Sequence, residues 1–370
     1  MKIVADDRIP YLQGALEEFA EVNYIAGAKI SAEDMRNADV LITRTRTKVN
    51  RELLQNSPIK LVVTATIGHD HIDKEYLRER GIVWMNCPGC NSGSVATYIS
   101  SLLAHMMHEH GFETKGKTFG LIGCGNVGKR VKRVAEAMGM KVLVNDPPRA
   151  EKEGSDLFSD LDTVLKQSDI ISIHVPFYKD GQFKTLDLMD DDKLSKMKKG
   201  SWLVNSSRGG IIVEEDLKKY LMDSTINAVL DVWDNEPKID LELMKMCKLV
   251  TSHIAGYSVD GKANGTSMSV RHIAEFFDLD LKSWRASNLP LEGKKIQVNA
   301  GREALITAIK EAYDIGEDDE KLRFTPENFE SNRGQYEAHR DMANYEFIGD
   351  EENCKILKAM MPEAVIKNES

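Results

Sequence analysis

Three residues in the second half of the chain have the types needed to handle a small acidic alcohol: Arg208, Glu236 and His253. A guanidinium grips a carboxylate at two points, and an imidazole takes or gives a proton near neutrality. A carboxylate beside the imidazole selects its tautomer and tunes it as a base. Those are the services that hydride transfer from a 2-hydroxy acid asks of a protein. Arg208 stands in Asn205-Ser206-Ser207-Arg208-Gly209-Gly210, where the glycines leave room for a ligand. Asp231 and Glu236 stand in Asp231-Val232-Trp233-Asp234-Asn235-Glu236-Pro237, and His253 in Thr251-Ser252-His253-Ile254-Ala255-Gly256. Each segment follows a short β-rich run, so each is expected at the carboxyl end of a strand, where open parallel sheets bind ligands. Alone, such an Arg reads as a surface ion pair and such a His as a core histidine. Their joint occurrence in this order points to one active site.

A second constellation precedes them. Gly123-Cys124-Gly125-Asn126-Val127-Gly128 follows a strand-like run and opens a helix expected over 129–138. Gly123 suits the tight turn, Gly125 the approach of backbone amides to a pyrophosphate, and Gly128 the close packing of helix on strand. Asp146, eighteen residues beyond Gly128 and at the end of the next run, can accept both ribose hydroxyls and repel a 2'-phosphate, which favours NAD. Arg149 is the counterargument, because an Arg nearby can hold the extra phosphate of NADP; the other reading is a solvated or adenine-stacking side chain. A third cluster, Arg44-Thr45-Arg46-Thr47-Lys48, follows the run 40–43 and could converge on a phosphate dianion; a solvated charged loop is the alternative.

The elements that must position these groups alternate. Strand-like runs at 2–6, 40–43, 61–65 and 82–85, with a helical stretch near 11–19, imply βαβ units around a parallel sheet. A long helix is expected over 92–110, with Val95, Ile99, Leu102, Leu103 and Met106 at helical spacing. Six further runs, 117–122, 141–145, 170–175, 202–205, 228–232 and 249–252, match a doubly wound dinucleotide domain. A helix over 265–277 would return the chain to the first lobe, and from 287 the charged, turn-rich remainder suggests a small third domain. The fold class is α/β: two doubly wound parallel-sheet lobes plus that third domain.

At 370 residues and 42% hydrophobic, the chain can bury two or three cores. Its net charge of -10, with 59 acidic against 49 basic residues, argues against nucleic acid as the main partner. The start Met1-Lys2-Ile3-Val4 enters a strand-like run without a secretory pattern, and no apolar run approaches the roughly 18 residues that span a bilayer. A cytoplasmic protein with no membrane segment is expected. Five cysteines, an odd number, suit a reducing compartment. Cys87-Pro-Gly-Cys90 has no second ligand pair to complete a metal site, so it reads as a turn and no metal is expected.

With these residues in view, the chain resembles the D-isomer-specific 2-hydroxyacid dehydrogenases over residues 1 to 286. The resemblance rests on Thr64-Ala65-Thr66-Ile67-Gly68-His69-Asp70-His71-Ile72-Asp73, the glycine loop through Asp146, the Arg208 segment, and Glu236 with His253. Within the family it looks most like a branch acting on a phosphorylated four-carbon acid. That likeness rests on Arg44 to Asn50, Pro88 to Asn91, His253 to Ser258 with Gly261-Lys262-Ala263, and a tail containing Tyr313-Asp314, Asp318-Asp319, Leu322-Arg323 and Phe329 to Tyr336. The resemblance implies a flavodoxin-like substrate lobe (1–93 and 257–286), a Rossmann NAD lobe (94–256) and a small α+β C-terminal domain (287–370) that forms a homodimer. It makes Arg208, Glu236 and His253 catalytic. It also makes Gly123, Gly125, Asn126, Val127, Gly128, Asp146, Val175, Ser207, Asp231 and Gly256 cofactor contacts, and Arg44, Thr45, Arg46, Thr66 and Tyr257 substrate contacts. Two departures stand out: Val175 where a hydroxyl residue is usual, and Thr97 in place of an acid. A different substrate within the family, such as 3-phosphoglycerate, and a non-catalytic NAD-sensing role remain open.

Overall fold

The computed structural model describes residues 1–290, 294–336 and 339–360. It divides into two compact units, residues 1–91 with 258–292, and residues 92–257 with 293–370. In the first unit five parallel strands, β1 (Lys2–Asp6), β2 (Glu21–Ile25), β3 (Val40–Thr43), β4 (Leu61–Thr64) and β5 (Val83–Met85), lie in the order β2-β1-β3-β4-β5. That is the flavodoxin-like order. β3 and β4 are buried along their whole length, as strands covered on both faces must be.

The sequence reading misplaced one element here. Residues 11–19 form turns rather than a helix. Tyr11 and Gly14 take left-handed backbone angles, φ 62 and 84, so no run of i→i−4 bonds can start; the turns close instead through Ala15 N–H to Leu12 O and Phe19 N–H to Leu16 O. Leu12 and Leu16 are still fully buried, which is why their spacing resembled a helix face. The edge strand β2 was missed, because only one side of it is paired and its residues alternate between half-buried and exposed. The closing helix, Val259–Phe277, starts six residues earlier than expected, capped by Ser258 accepting from Gly261 N–H.

The second unit carries six parallel strands: β6 (Thr118–Ile122), β7 (Lys141–Asn145), β8 (Ile170–Ile173), β9 (Trp202–Asn205), β10 (Asn227–Leu230) and β11 (Leu249–Val250), ordered β11-β10-β9-β8-β6-β7. The order reverses between β6 and β8, which creates a crevice at their carboxyl ends. Helix Ser92–Glu109 is buried on nearly every side. Thr97 ties it to the C-terminal segment by accepting from Met342 N–H at 3.0 Å, and Ser101 does so by donating to Tyr313 O at 2.7 Å. That segment holds the parallel pair β12 (Lys295–Val298) and β13 (Glu346–Gly349). Its helix Arg302–Ala312 puts Leu305, Ile306 and Ile309 into the same core as Ile99, Leu102, Val131 and Val134. No helix among the described residues is long and apolar enough to cross a membrane. Cys87 to Cys90 form a turn, with Cys90 N–H bonded to Cys87 O and Gly89 at φ 83. Burial pushes the Cys87 thiol up to about 11, as for an unreactive core cysteine.

Candidate active site

The glycine loop leaves β6 and enters the helix Asn126–Ala137. Gly123 turns the chain at φ 87, and a Cβ there would stand 2.5 Å from His174 O and 2.8 Å from Val175 Cγ1. A Cβ on Gly128 would strike Gly123 O, so that glycine sets the packing of helix on strand. At Gly125 nothing lies within 4 Å of where a Cβ would be, and this residue caps the helix with no side chain on its amides. The loop therefore offers open space before a twelve-residue helix N-terminus, which fits a dinucleotide pyrophosphate. Asn126 and Val127 supply the first helical amides. Val175 packs against Gly123 at the point where the strand order reverses.

Asp146 directly follows β7 with both carboxylate oxygens engaged by backbone, accepting from Cys124 N–H at 2.8 Å and Arg149 N–H at 3.1 Å. The Arg149 side chain pairs with Glu153, donates to Cys124 O and stacks on Phe158. A guanidinium already held by its own carboxylate is poorly placed to select a 2'-phosphate.

After β9, Asn205 organises the next loop: its Oδ1 accepts from Ser207 N–H and Oγ–H, and its Nδ2 donates to Arg208 O at 2.8 Å. Arg208 is half-buried and donates to Ser207 O. A Cβ on Gly209 would meet Trp233 C at 2.5 Å, so the Arg208 loop lies directly on the loop that follows β10. Trp233 N–H in turn donates to Glu236 Oε1 at 3.0 Å, and Glu236 Oε2 pairs with His253 Nδ1 at 2.7 Å. The loops after β9, β10 and β11 thus form one connected edge.

Burial works to raise the Glu236 carboxyl, but the bonds from His253 and Trp233 N–H and the nearby Arg333 outweigh it, leaving it below its ordinary value. An ionised carboxylate only accepts. Nδ1 of His253 therefore carries the hydrogen, and Nε2 is the ring nitrogen left able to accept or give a proton. His253 itself has a left-handed backbone, φ 55, a conformation that costs a bulky residue of order 1 kcal/mol or more. Asp231 holds it there. Its backbone O accepts from His253 N–H, and its carboxylate accepts from Thr251 Oγ–H, Ile254 N–H and Ala255 N–H. Gly256 and Tyr257 follow, with Tyr257 edge-on to Tyr336.

The remaining expected contacts belong to the first unit. Arg44 is half-buried, and Thr45 and Arg46 are exposed. Thr47 points inward and donates to Gly27 O, and Thr66 donates to Gly68 O. Lys262, on the first turn of Val259–Phe277, is held down to about 8 by burial and by the charge of Arg44, so two cations face one another there. The residues that sequence reasoning missed are Asn205, Ser206, whose buried hydroxyl has no partner among the described residues, and Arg333. Arg333 NH1 lies 3.7 Å from Glu236 Oε2. Nothing in the spacing of an Asn-Arg-Gly segment a hundred residues away signals that contact.

The model of the D-isomer specific 2-hydroxyacid dehydrogenase NAD binding domain matches residues 96–255. A relative from Bacteroides fragilis described as erythronate-4-phosphate dehydrogenase is 42% identical over 94% of this chain and 99% of its own. One from Pseudomonas putida with the same description is 39% identical, covering 87% and 86% respectively. An NAD+-bound 3-phosphoglycerate dehydrogenase from Entamoeba histolytica superposes with a TM-score of 0.66 at 26% identity, over 78% of this chain and 99% of its own. The chain belongs to the D-isomer specific 2-hydroxyacid dehydrogenase family. Relatives from Bacteroides fragilis, Bacteroides thetaiotaomicron and Pseudomonas putida that match over most of its length share the erythronate-4-phosphate dehydrogenase description.

Proposed function

We propose that the protein oxidises the C2 hydroxyl of 4-phospho-D-erythronate to 2-oxo-3-hydroxy-4-phosphobutanoate with NAD, in the synthesis of pyridoxal 5'-phosphate (vitamin B6). The observation that carries this is the 2.7 Å Glu236–His253 pair, on the sheet edge shared with the Arg208 loop, in a chain that matches erythronate-4-phosphate dehydrogenases nearly end to end.

NAD, bound at Gly123, Gly125, Asn126, Val127 and Gly128, supplies the two-electron acceptor. Asp146, Val175, Ser207, Asp231 and Gly256 line its remaining contacts in this reading. Arg208 grips the C1 carboxylate and the C2 oxygen, so that C2 is oriented before reaction. His253 Nε2 takes the hydroxyl proton, and Glu236 holds the ring with that nitrogen forward and stabilises the imidazolium that forms. Arg44, Thr45, Arg46 and Thr66 bind the phosphate end, and Tyr257 packs on the substrate. The mutual repulsion of Arg44 and Lys262 supports the phosphate assignment, because a dianion relieves it.

The reading also has residues 287–370 acting as a homodimerisation domain beside a substrate lobe (1–93, 257–286) and an NAD lobe (94–256). It places the protein in the cytoplasm, without a nucleic-acid partner. Absorbance of NADH during incubation with 4-phospho-D-erythronate, with a 2-oxo acid added to recycle bound cofactor, tests the activity. Turnover on 3-phosphoglycerate and none on phosphoerythronate would overturn the substrate, and no hydride transfer to NAD from either would overturn catalysis.

A further inference from the structure

The Glu236 carboxylate has a third neighbour that its reaction chemistry does not call for. Arg333 comes from the short helix Phe329–Gly334. Its side chain is only 16% exposed, and its NH1 lies 3.7 Å from the same Oε2 that bonds His253. The guanidinium sits over the Tyr257 ring at 6.0 Å, and its Nε is buried with no acceptor among the described residues. A buried donor left unpaired is a standing cost to the fold. A residue present only to stabilise the fold would not be expected to keep that cost, because a shorter or apolar side chain avoids it.

The helix that carries Arg333 is itself anchored. Phe329 is buried in the cluster that holds Trp233, the residue whose N–H binds the other Glu236 oxygen. The preceding helix, Ile315–Phe324, binds β11 directly through Asp319 Oδ1, which accepts from Val250 N–H at 2.7 Å. Guanidinium, carboxylate and imidazole are therefore fixed to one framework.

We propose that Arg333 is a positioning residue for the alcohol oxidation: its guanidinium holds the Glu236 carboxylate in the orientation that presents His253 to the substrate. This rests on the reading of Glu236 and His253 as the base pair. Arg333 acts through Glu236 and touches neither substrate nor cofactor. Among the described residues, the charged groups that act on the carboxylate include His253, Arg333 and Asp234, with Glu330 4.0 Å from Arg333 and Asp231 influenced by His253. Only Arg333 adds a permanent positive charge to this set.

The test compares Arg333→Gln and Arg333→Lys by two measurements. The first is 13C NMR titration of the Glu236 carboxyl carbon, identified by its loss in Glu236→Gln, in protein without substrate. Gln should move the midpoint up by about half a pH unit or more, and Lys should bring it most of the way back. The second is the pH profile of kcat with phosphoerythronate: Gln should lower kcat about tenfold and move the acid limb upward, with KM for NAD unchanged, and Lys should restore part of both. If Arg333→Gln does not fold, Arg333→Met, which keeps the apolar stem, takes its place. A Glu236 midpoint that does not move in a folded variant overturns the proposal, as does a variant with unaltered kcat and profile. Because the NMR titration needs no turnover, it reports on Arg333 even if the substrate reading fails.

Discussion

Glu236 Oε2 and His253 Nδ1 meet at 2.7 Å, joining a carboxylate from the loop after β10 to an imidazole from the loop after β11. The bond determines which ring nitrogen is left to exchange a proton, which is Nε2 in the proposed reaction. Glu236→Gln keeps the shape but can present its amide N–H to the ring and reverse the tautomer. It should lower kcat by about 100-fold or more while leaving NAD affinity within twofold; equilibrium binding of NAD beside steady-state rates checks both.

The same bond makes an acid-side stability prediction. Glu236 titrates below its ordinary value of 4.5 when folded, so its ionised form favours the native state. Stability from this source is complete above the unfolded value and is lost as the pH falls through the folded one. The melting temperature of the native protein should therefore exceed that of Glu236→Gln near neutrality, and the gap should close on acidification below about pH 4.5. A gap that stays constant through and below that range would show that the stability difference does not come from the ionised carboxylate.

Arg208→Lys replaces a planar two-point grip with a single point charge. The loss should be about 2 kcal/mol in transition-state stabilisation, roughly thirtyfold in kcat/KM. Full turnover by the Lys variant would remove Arg208 from the reaction.

Gly125 and Gly128 should separate cleanly. Gly125→Ala meets open space, so it should melt like the native protein and bind NAD at least about tenfold more weakly, because the methyl occupies the approach to the helix amides. Gly128→Ala runs into Gly123 O and should lose about 1–3 kcal/mol of stability. Calorimetry and NAD titration on both variants give the comparison.

Asp231→Ala leaves Thr251 Oγ–H, Ile254 N–H and Ala255 N–H without an acceptor in a buried loop. The cost should be about 2–4 kcal/mol. His253 should also lose its left-handed backbone, so that kcat falls further than the melting temperature alone explains; circular dichroism melts with parallel rates measure the two effects.

Much of this was legible from spacing. β1, β3, β7 and β9 fall where their apolar runs predicted, because strands buried on both faces are written as continuous Val, Ile and Leu. The glycine loop and the Arg208, Glu236 and His253 segments were readable because each follows such a strand, and parallel topology brings those ends to one edge. What was illegible depends on tertiary approach. Tyr11 and Gly14 turn a helix-like pattern into turns, and β2 is an edge strand whose pattern is diluted by exposure. Arg333 matters only through neighbours distant in sequence, Glu236 and Tyr257. Asp146 was identified by position, but the use of both its oxygens on backbone amides is a matter of local loop geometry.

The bonds from Thr97 to Met342, Ser101 to Tyr313 and Asp319 to Val250 have a consequence for engineering. Residues 294–360 cannot be treated as a detachable handle: β11, the strand that leads to His253, leans on them through Asp319. A shortened chain stopping near residue 290 would keep Arg208, Glu236 and His253 but lose Arg333, and under the proposed reading its impairment would show first in proton transfer, before any failure to hold the dinucleotide.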